Sequence, residues 1–292
     1  MYMPVTYAGP IEDYKKLLNG VQLWDVGVER QVQIKGPDAE ALSQFLTFRN
    51  IKKCSVGQAM YTPLTDFQGG LLSDPVMLKI AEDCYWFSVS DGDILLWVQA
   101  IAAGYKFDVK VDEPDVSPLQ TQGPNSTKLM TKVFGDWVSS LAFYRFKEIT
   151  HKGIPMIIAR MGYSKELCYE IFLQDHTRGD ELWEMLWEAG QDLNISPGGP
   201  NMILRLEGGI VSYLSDVNRT NNPFEVGFEA MVDLDQKDDF IGKDALREIY
   251  SKGPEKKLMG AEILGDPITE TNADHWPVVI DGKQIGSMNA LV

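Results

Sequence analysis

Cysteine and histidine are scarce, with three of each among 292 residues. Cys54, Cys84 and Cys168 are odd in number and widely spaced, which excludes a disulfide framework and favours a reducing compartment. The histidines at 151, 176 and 275 show no metal-ligand spacing and no neighbouring cysteine pair, so no metal site is expected. Basic residues are also few. With 27 Lys and Arg against 42 Asp and Glu the net charge is −15, and a nucleic-acid backbone or an anionic membrane surface would be repelled. The longest apolar run, around "ILLWVQAIAAG", is far too short to span a bilayer. The opening "MYMPVTYAGPIEDYKK" lacks the charged, apolar and small-residue order of a signal peptide, so the cytoplasm is the expected location. Phosphate-binding and dinucleotide-binding glycine loops and the G-x-S-x-G elbow are all missing, which leaves nucleotide binding by those routes and serine hydrolysis without support.

What is present is an ordinary globular composition, 44% hydrophobic and 24% charged, on a chain long enough for a large core and more than one domain. Short helices are expected at 11–19 and at 38–47, the second with Asp38 as its cap. "QVQIKG" alternates like a strand, two strands flank "DFQGG", and "CYWFSVS", "FDVKV" and "FYRFKEI" follow, with helices at "DILLWVQAIAAG" and "GDELWEMLWEAGQDL". "GPNMILRLEGGIVSYL" is a further helix candidate. This order predicts an α+β fold with antiparallel sheets over residues 1–255. Beyond 255 the texture changes to short strands, "LMGAEIL" and a hairpin in "WPVVIDGKQIG", read as the start of a separate β domain over 256–292.

The chemistry resides in carboxylates and aromatics. In "ARMGYSKELCYEIFL", residues 159–173, two apolar strands flank a polar turn. Period-two alternation puts Tyr169, Ile171 and Leu173 on one face and Glu170 beside Phe172 on the other. A carboxylate there needs a partner. Locally Arg160 or Lys165 is the simplest choice, and a bound ligand is the alternative. Asp74 in "GGLLSDPVML" follows a glycine turn, either as a turn cap next to Pro75 or as a side chain held toward a cleft.

Seven stretches taken in order resemble the aminomethyltransferase family, that of the glycine-cleavage T-protein: "WDVGVERQVQIKGPDA", "YTPLTDFQGGLLSDPV", "LQTQGPNS", "ARMGYSKELCYEIF", "LRLEGGIVSYLSD", "NNPFEVGFEAMV" and "FIGKDAL". The resemblance implies a tetrahydrofolate-binding fold with a C-terminal β-barrel, whose start lies at 256–292. It implies that Glu170 holds the pterin edge, that Asp74 is the catalytic carboxylate, and that Tyr61 walls the cleft. Tyr163 and Phe172 would stack on the pterin or cage a cationic donor, and Asn201 joins the folate-binding residues.

Two departures shift the reading within the family. Gly162, Tyr163, Ser164 and Lys165 stand where T-proteins read G-Y-T-G-E, and Asn201 stands where they carry Arg. Both resemble the branch that moves a methyl group from dimethylsulfoniopropionate to tetrahydrofolate. That branch carries Trp and Tyr where this chain has Tyr163 and Phe172, so the small-molecule methyl donor extends to betaine-like amines, N-methyl amino acids and methoxy-aromatics. A glycine-cleavage-type aminomethyltransferase and a non-catalytic folate-binding regulator are the alternatives. The resemblance also implies that relatives extend past both ends, so a shortened chain with exposed sheet edges and a homo-oligomer are further expectations.

Overall fold

The computed structural model describes residues 4, 6–90, 92–266 and 276–289; His275 lies outside them. Helix α1 (Pro10–Asn19) leads into β1 (Val21–Asp25) and β2 (Arg30–Lys35), and α2 (Ala39–Leu46) precedes β3 (Gln58–Tyr61). A short pair, β4 (Leu64–Thr65) and β5 (Leu71–Ser73), is followed by β6 (Val76–Ala81), β7 (Cys84–Val89), α3 (Leu95–Tyr105), β8 (Lys110–Asp112) and β9 (Ser117–Gln122). Then come α4 (Ser126–Phe134), β10 (Phe146–His151), β11 (Ile154–Ala159), β12 (Cys168–Leu173), α5 (Gly179–Ala189), β13 (Ile195–Gly198), α6 (Met202–Glu207) and α7 (Lys243–Lys252). The hairpin of β14 (Trp276–Ile280) and β15 (Lys283–Met288) is last.

The strands form a six-stranded sheet in the order β10-β11-β12-β9-β1-β13 and a five-stranded sheet in the order β3-β6-β7-β2-β8. Every pair is antiparallel except β1 with β13. The fold is therefore mixed α/β with antiparallel sheets. Strands β7 and β12 are buried at all six positions, as expected where both faces of a sheet are covered. Tyr169, Ile171 and Leu173 face the core that contains Leu129 of α4 and Leu182 and Leu186 of α5. Phe172 faces the other way, into a cluster with Ile157, Ala159, Leu78 and Trp86 that joins the two sheets. Each fully buried side chain of this size contributes about 1.5–3 kcal/mol.

Several expectations change in the folded chain. Asp38 precedes α2 without capping it; its carboxylate accepts from Asp108 N–H at 2.8 Å, tying the helix start to the segment before β8. The helix expected across "GPNMILRLEGGIVSYL" stops at Glu207, where Gly208 and Gly209 follow and Gly209 takes a left-handed φ of 64°. "LMGAEIL" forms no strand, and its Leu258, Met259, Ile263 and Leu264 are exposed. The expected Asp281–Gly282 hairpin is present as β14–β15, with left-handed φ at both turn residues. Among the described residues of 256–292, this hairpin is the regular structure found.

A third core has few regular elements. Phe48, Leu71, Tyr213, Val217, Phe224, Phe228 and Phe240 pack together, so the irregular segment after α6 is held by aromatic burial and closes over β4 and β5.

Candidate active site

Strand β12 places Glu170 opposite Ala159 on one side and Gln120 of β9 on the other. The hairpin loop of residues 160–167 carries Tyr163 and Ser164 back over β9. It approaches closely because residue 162 is glycine: a Cβ there would lie 2.3 Å from Gln122 Nε2. Neither local partner proposed for Glu170 reaches it. Arg160 donates to Leu141 C=O at 3.1 Å, and Lys165 pairs with Glu207 at 2.8 Å on the surface. Instead Gln120 Nε2 donates to Glu170 Oε1 at 2.9 Å, Gln122 Nε2 donates to Gln120 Oε1 at 2.8 Å, and Ser164 Oγ donates to Gln122 Oε1 at 2.6 Å. This relay of amides fixes one carboxylate oxygen with neutral donors alone. The two glutamines were missed in sequence reasoning, although "LQTQ" in a strand sends both to one face.

Neutral partners do not offset the loss of water. Burial pushes the Glu170 carboxyl up to about 8. An acid whose folded value exceeds its unfolded value holds its proton longer in the folded chain, so its stabilising contribution is complete at low pH and is lost as pH rises toward 8. Glu170→Gln is therefore expected to flatten the pH dependence of stability by up to about 1.4 kcal/mol per unit between pH 5 and pH 8. Urea unfolding of both proteins at several pH values measures this, and parallel pH profiles would rule it out.

Asp74 lies between β5 and β6, half-buried. Tyr61, at the end of β3, donates its hydroxyl to Asp74 Oδ2 at 3.0 Å. Burial first and Asp74 second hold the Tyr61 phenol far above its ordinary value, so it remains a proton donor. Tyr163 is half-buried against Trp24, Val26 and Leu204, and burial first raises the proton affinity of its phenol. Tyr61 also senses Tyr144 and Tyr163, and Tyr144 senses Glu170. The structure thus brings Asp74 and Tyr61 into direct contact, packs Tyr163 against the Trp24, Val26 and Leu204 cluster, and packs Tyr144 against the cluster that contains Ala159 and Phe172. The β4–β5 pair that presents Asp74 is held from outside, by Tyr213 Oη donating to Leu71 C=O at 3.1 Å and by Arg219 on Asp66 at 2.6 Å.

Two expected site residues are engaged within the chain. Phe172 is completely buried in the inter-sheet cluster. Asn201 caps α6, accepting from Leu204 N–H at 3.1 Å and donating to Pro10 C=O at 3.3 Å, so both ends of its amide are engaged within the chain.

Residues 1–236 match the GCVT N-terminal domain. The chain belongs to the GCVT family. This GCVT chain is 39% identical to the dimethylsulfoniopropionate demethylase of Ruegeria pomeroyi over 100% of its own length and 79% of that protein. It is 34% identical to an aminomethyltransferase of Halothermothrix orenii, over 97% of the chain and 79% of that protein. The fold is similar to that of the glycine cleavage aminomethyltransferase of Bartonella henselae, with a TM-score of 0.78 at 23% identity, covering 86% of this chain and 69% of that one. Among the described residues no cluster of His, Cys, Asp and Glu suits a metal ion, and no helix is long and apolar enough to cross a membrane.

Proposed function

We propose that this protein moves a methyl group from a small cationic donor to tetrahydrofolate, with a sulfonium such as dimethylsulfoniopropionate as the first candidate. As a GCVT-family chain it is a folate-dependent one-carbon transferase. The observation that carries the finer reading is the pairing of two differently placed carboxylates. Glu170 is buried on neutral amides with its second oxygen outside that relay, and Asp74 is half-buried on a tyrosine hydroxyl. A buried acid with remaining acceptor capacity fits the side-by-side N–H groups of a pterin. Bound tetrahydrofolate supplies the nucleophilic nitrogen that takes the methyl group. Asp74 stabilises positive charge arising near it, Tyr61 fixes the orientation of that carboxylate, and Tyr163 offers an aromatic face to a cation. A net charge of −15 favours approach of such a donor. The 39% identity to a dimethylsulfoniopropionate demethylase supports the same choice.

The second reading is aminomethyl transfer, favoured by the 34% identity to an aminomethyltransferase. A screen of sulfonium, quaternary ammonium, N-methyl amino acid, methoxy-aromatic and aminomethyl-lipoyl donors, with mass detection of the folate product, tests both. 5-Methyltetrahydrofolate from a cationic donor is the expected result. Methylene-tetrahydrofolate from the lipoyl donor alone would replace the first reading with the second. Folate binding without product from any donor would leave a non-catalytic role.

A further inference from the structure

Tyr144 is the third residue of a turn closed by Arg145 N–H donating to Ala142 C=O at 3.0 Å, and its φ is 58°. Left-handed backbone at that position is normally supplied by Gly or Asn, and a bulky residue holds it only where its surroundings enforce it. They do so here. Tyr144 N–H donates to Arg160 C=O at 3.0 Å and Tyr144 C=O accepts from Ala59 N–H at 2.9 Å, clamping the turn between the end of β11 and β3. The ring is thereby packed against the inter-sheet cluster that contains Ala159, Met161 and Phe172.

In that place the phenol lies within the electrostatic reach of Glu170, Arg49 and Cys168. Burial first and Glu170 second push it up to about 12, so at neutral pH it is an O–H donor. Among the described residues its hydroxyl makes no hydrogen bond, and Glu170 uses Oε1 alone. The turn is bonded at Arg160, next to Ala159, and Ala159 is the cross-strand partner of Glu170. A half-buried donor and a buried acceptor, both with capacity left over, are thus carried on adjoining segments, an arrangement that a ligand completes.

We propose that Tyr144 is a ligand-contacting residue of the folate site, donating its hydroxyl to the carbonyl oxygen of the pterin while Glu170 accepts from the adjoining ring N–H and amine. The inference rests on the folate reading above. A pterin edge runs amine, ring N–H, carbonyl, that is donor, donor, acceptor. Glu170 and Tyr144 present acceptor, acceptor, donor. A 4-amino pterin places a donor where the carbonyl stood, so the same hydroxyl would then reject the ligand rather than hold it.

Calorimetric titration of tetrahydrofolate and of its 4-amino-4-deoxy counterpart into wild type, Tyr144→Phe and Glu170→Gln tests this. Phenylalanine keeps the ring in its cluster, and a thermal melt verifies folding. The expected result is that Tyr144→Phe weakens tetrahydrofolate by about 3- to 10-fold, the range of one neutral hydrogen bond, and leaves the 4-amino ligand as tight or tighter. Preference for the oxo ligand then collapses. Equal tetrahydrofolate affinity for wild type and Tyr144→Phe overturns the role of Tyr144 and leaves the folate reading standing. Equal loss of both ligands also overturns it, since that is the signature of a structural ring. No binding of tetrahydrofolate by wild type removes the folate reading and this inference together.

Discussion

Asp74→Asn is expected to lower kcat by about a hundredfold to a thousandfold, the range for removing one preorganised electrostatic contact from a developing charge, with little change in KM for either substrate. Asparagine has the size of aspartate and keeps an oxygen to accept from Tyr61, whose hydroxyl lies 3.0 Å from the carboxylate. The substitution therefore removes the charge while keeping that contact. Charge matters most where it arises, and in methyl transfer from a cation the positive charge passes from donor to acceptor as the bond forms. An interaction that strengthens along that path appears in kcat and in kcat/KM equally. Tyr61→Phe should follow in the same direction with a smaller effect, because the hydroxyl acts on the reaction only through Asp74. Steady-state kinetics for the two variants, with thermal melts to verify folding, separate the roles. A rise in KM with kcat unchanged would make Asp74 a binding residue.

The two carboxylates differ because their surroundings differ. Glu170 is enclosed between sheets and held by amides, which raises its proton affinity. A buried acid of this kind binds a ligand well only if the ligand brings hydrogen-bond donors to the ionised form, and this matches a role in recognition. Asp74 remains half-buried between β5 and β6, where a charge can act on an incoming cation.

Strand identity was legible in the sequence wherever alternation is local. "CYEIFL" sorted Glu170 from Tyr169 and Ile171 without any knowledge of the rest of the chain, and β12 has that arrangement. The partner of Glu170 was not legible, because it is set by the pairing of β12 with β9, some fifty positions upstream, and no local spacing encodes that register. Phe172 illustrates the same limit: period two gives its face but not its depth, and it lies one pleat beyond Glu170 in a sealed core. Asn201 stood where a functional Arg was the comparison, and its amide is engaged at the start of α6. The segment after α6 offered no period at all. Its order derives from aromatic residues that meet only when β4, β5 and α7 come together.

Asp216→Ala is expected to destabilise the protein by about 3–5 kcal/mol, the range for stripping one partner from a buried ion pair. Arg205 is completely buried, and its guanidinium is paired with Asp216 and also donates to Ile210 C=O at 3.3 Å. Its Nε and Nη2 already lack protein partners, so loss of the carboxylate would leave an enclosed charge with one backbone contact. The same carboxylate accepts from Ser212 N–H at 2.9 Å, which shapes the loop carrying Ser212 and Tyr213, the latter bonded to the strand before Asp74. Stability and site geometry should therefore part company in a second variant. Replacing both members together, as Arg205→Met with Asp216→Leu, removes the uncompensated charge and is expected to recover most of the lost stability. Turnover should stay low, since the loop has lost the acceptor that orders Ser212. Urea unfolding and kinetics on the single and double variants decide the matter. Recovery of full activity with stability would show that the pair serves only the fold, and an unfolded double variant would show that the buried charge is required for folding.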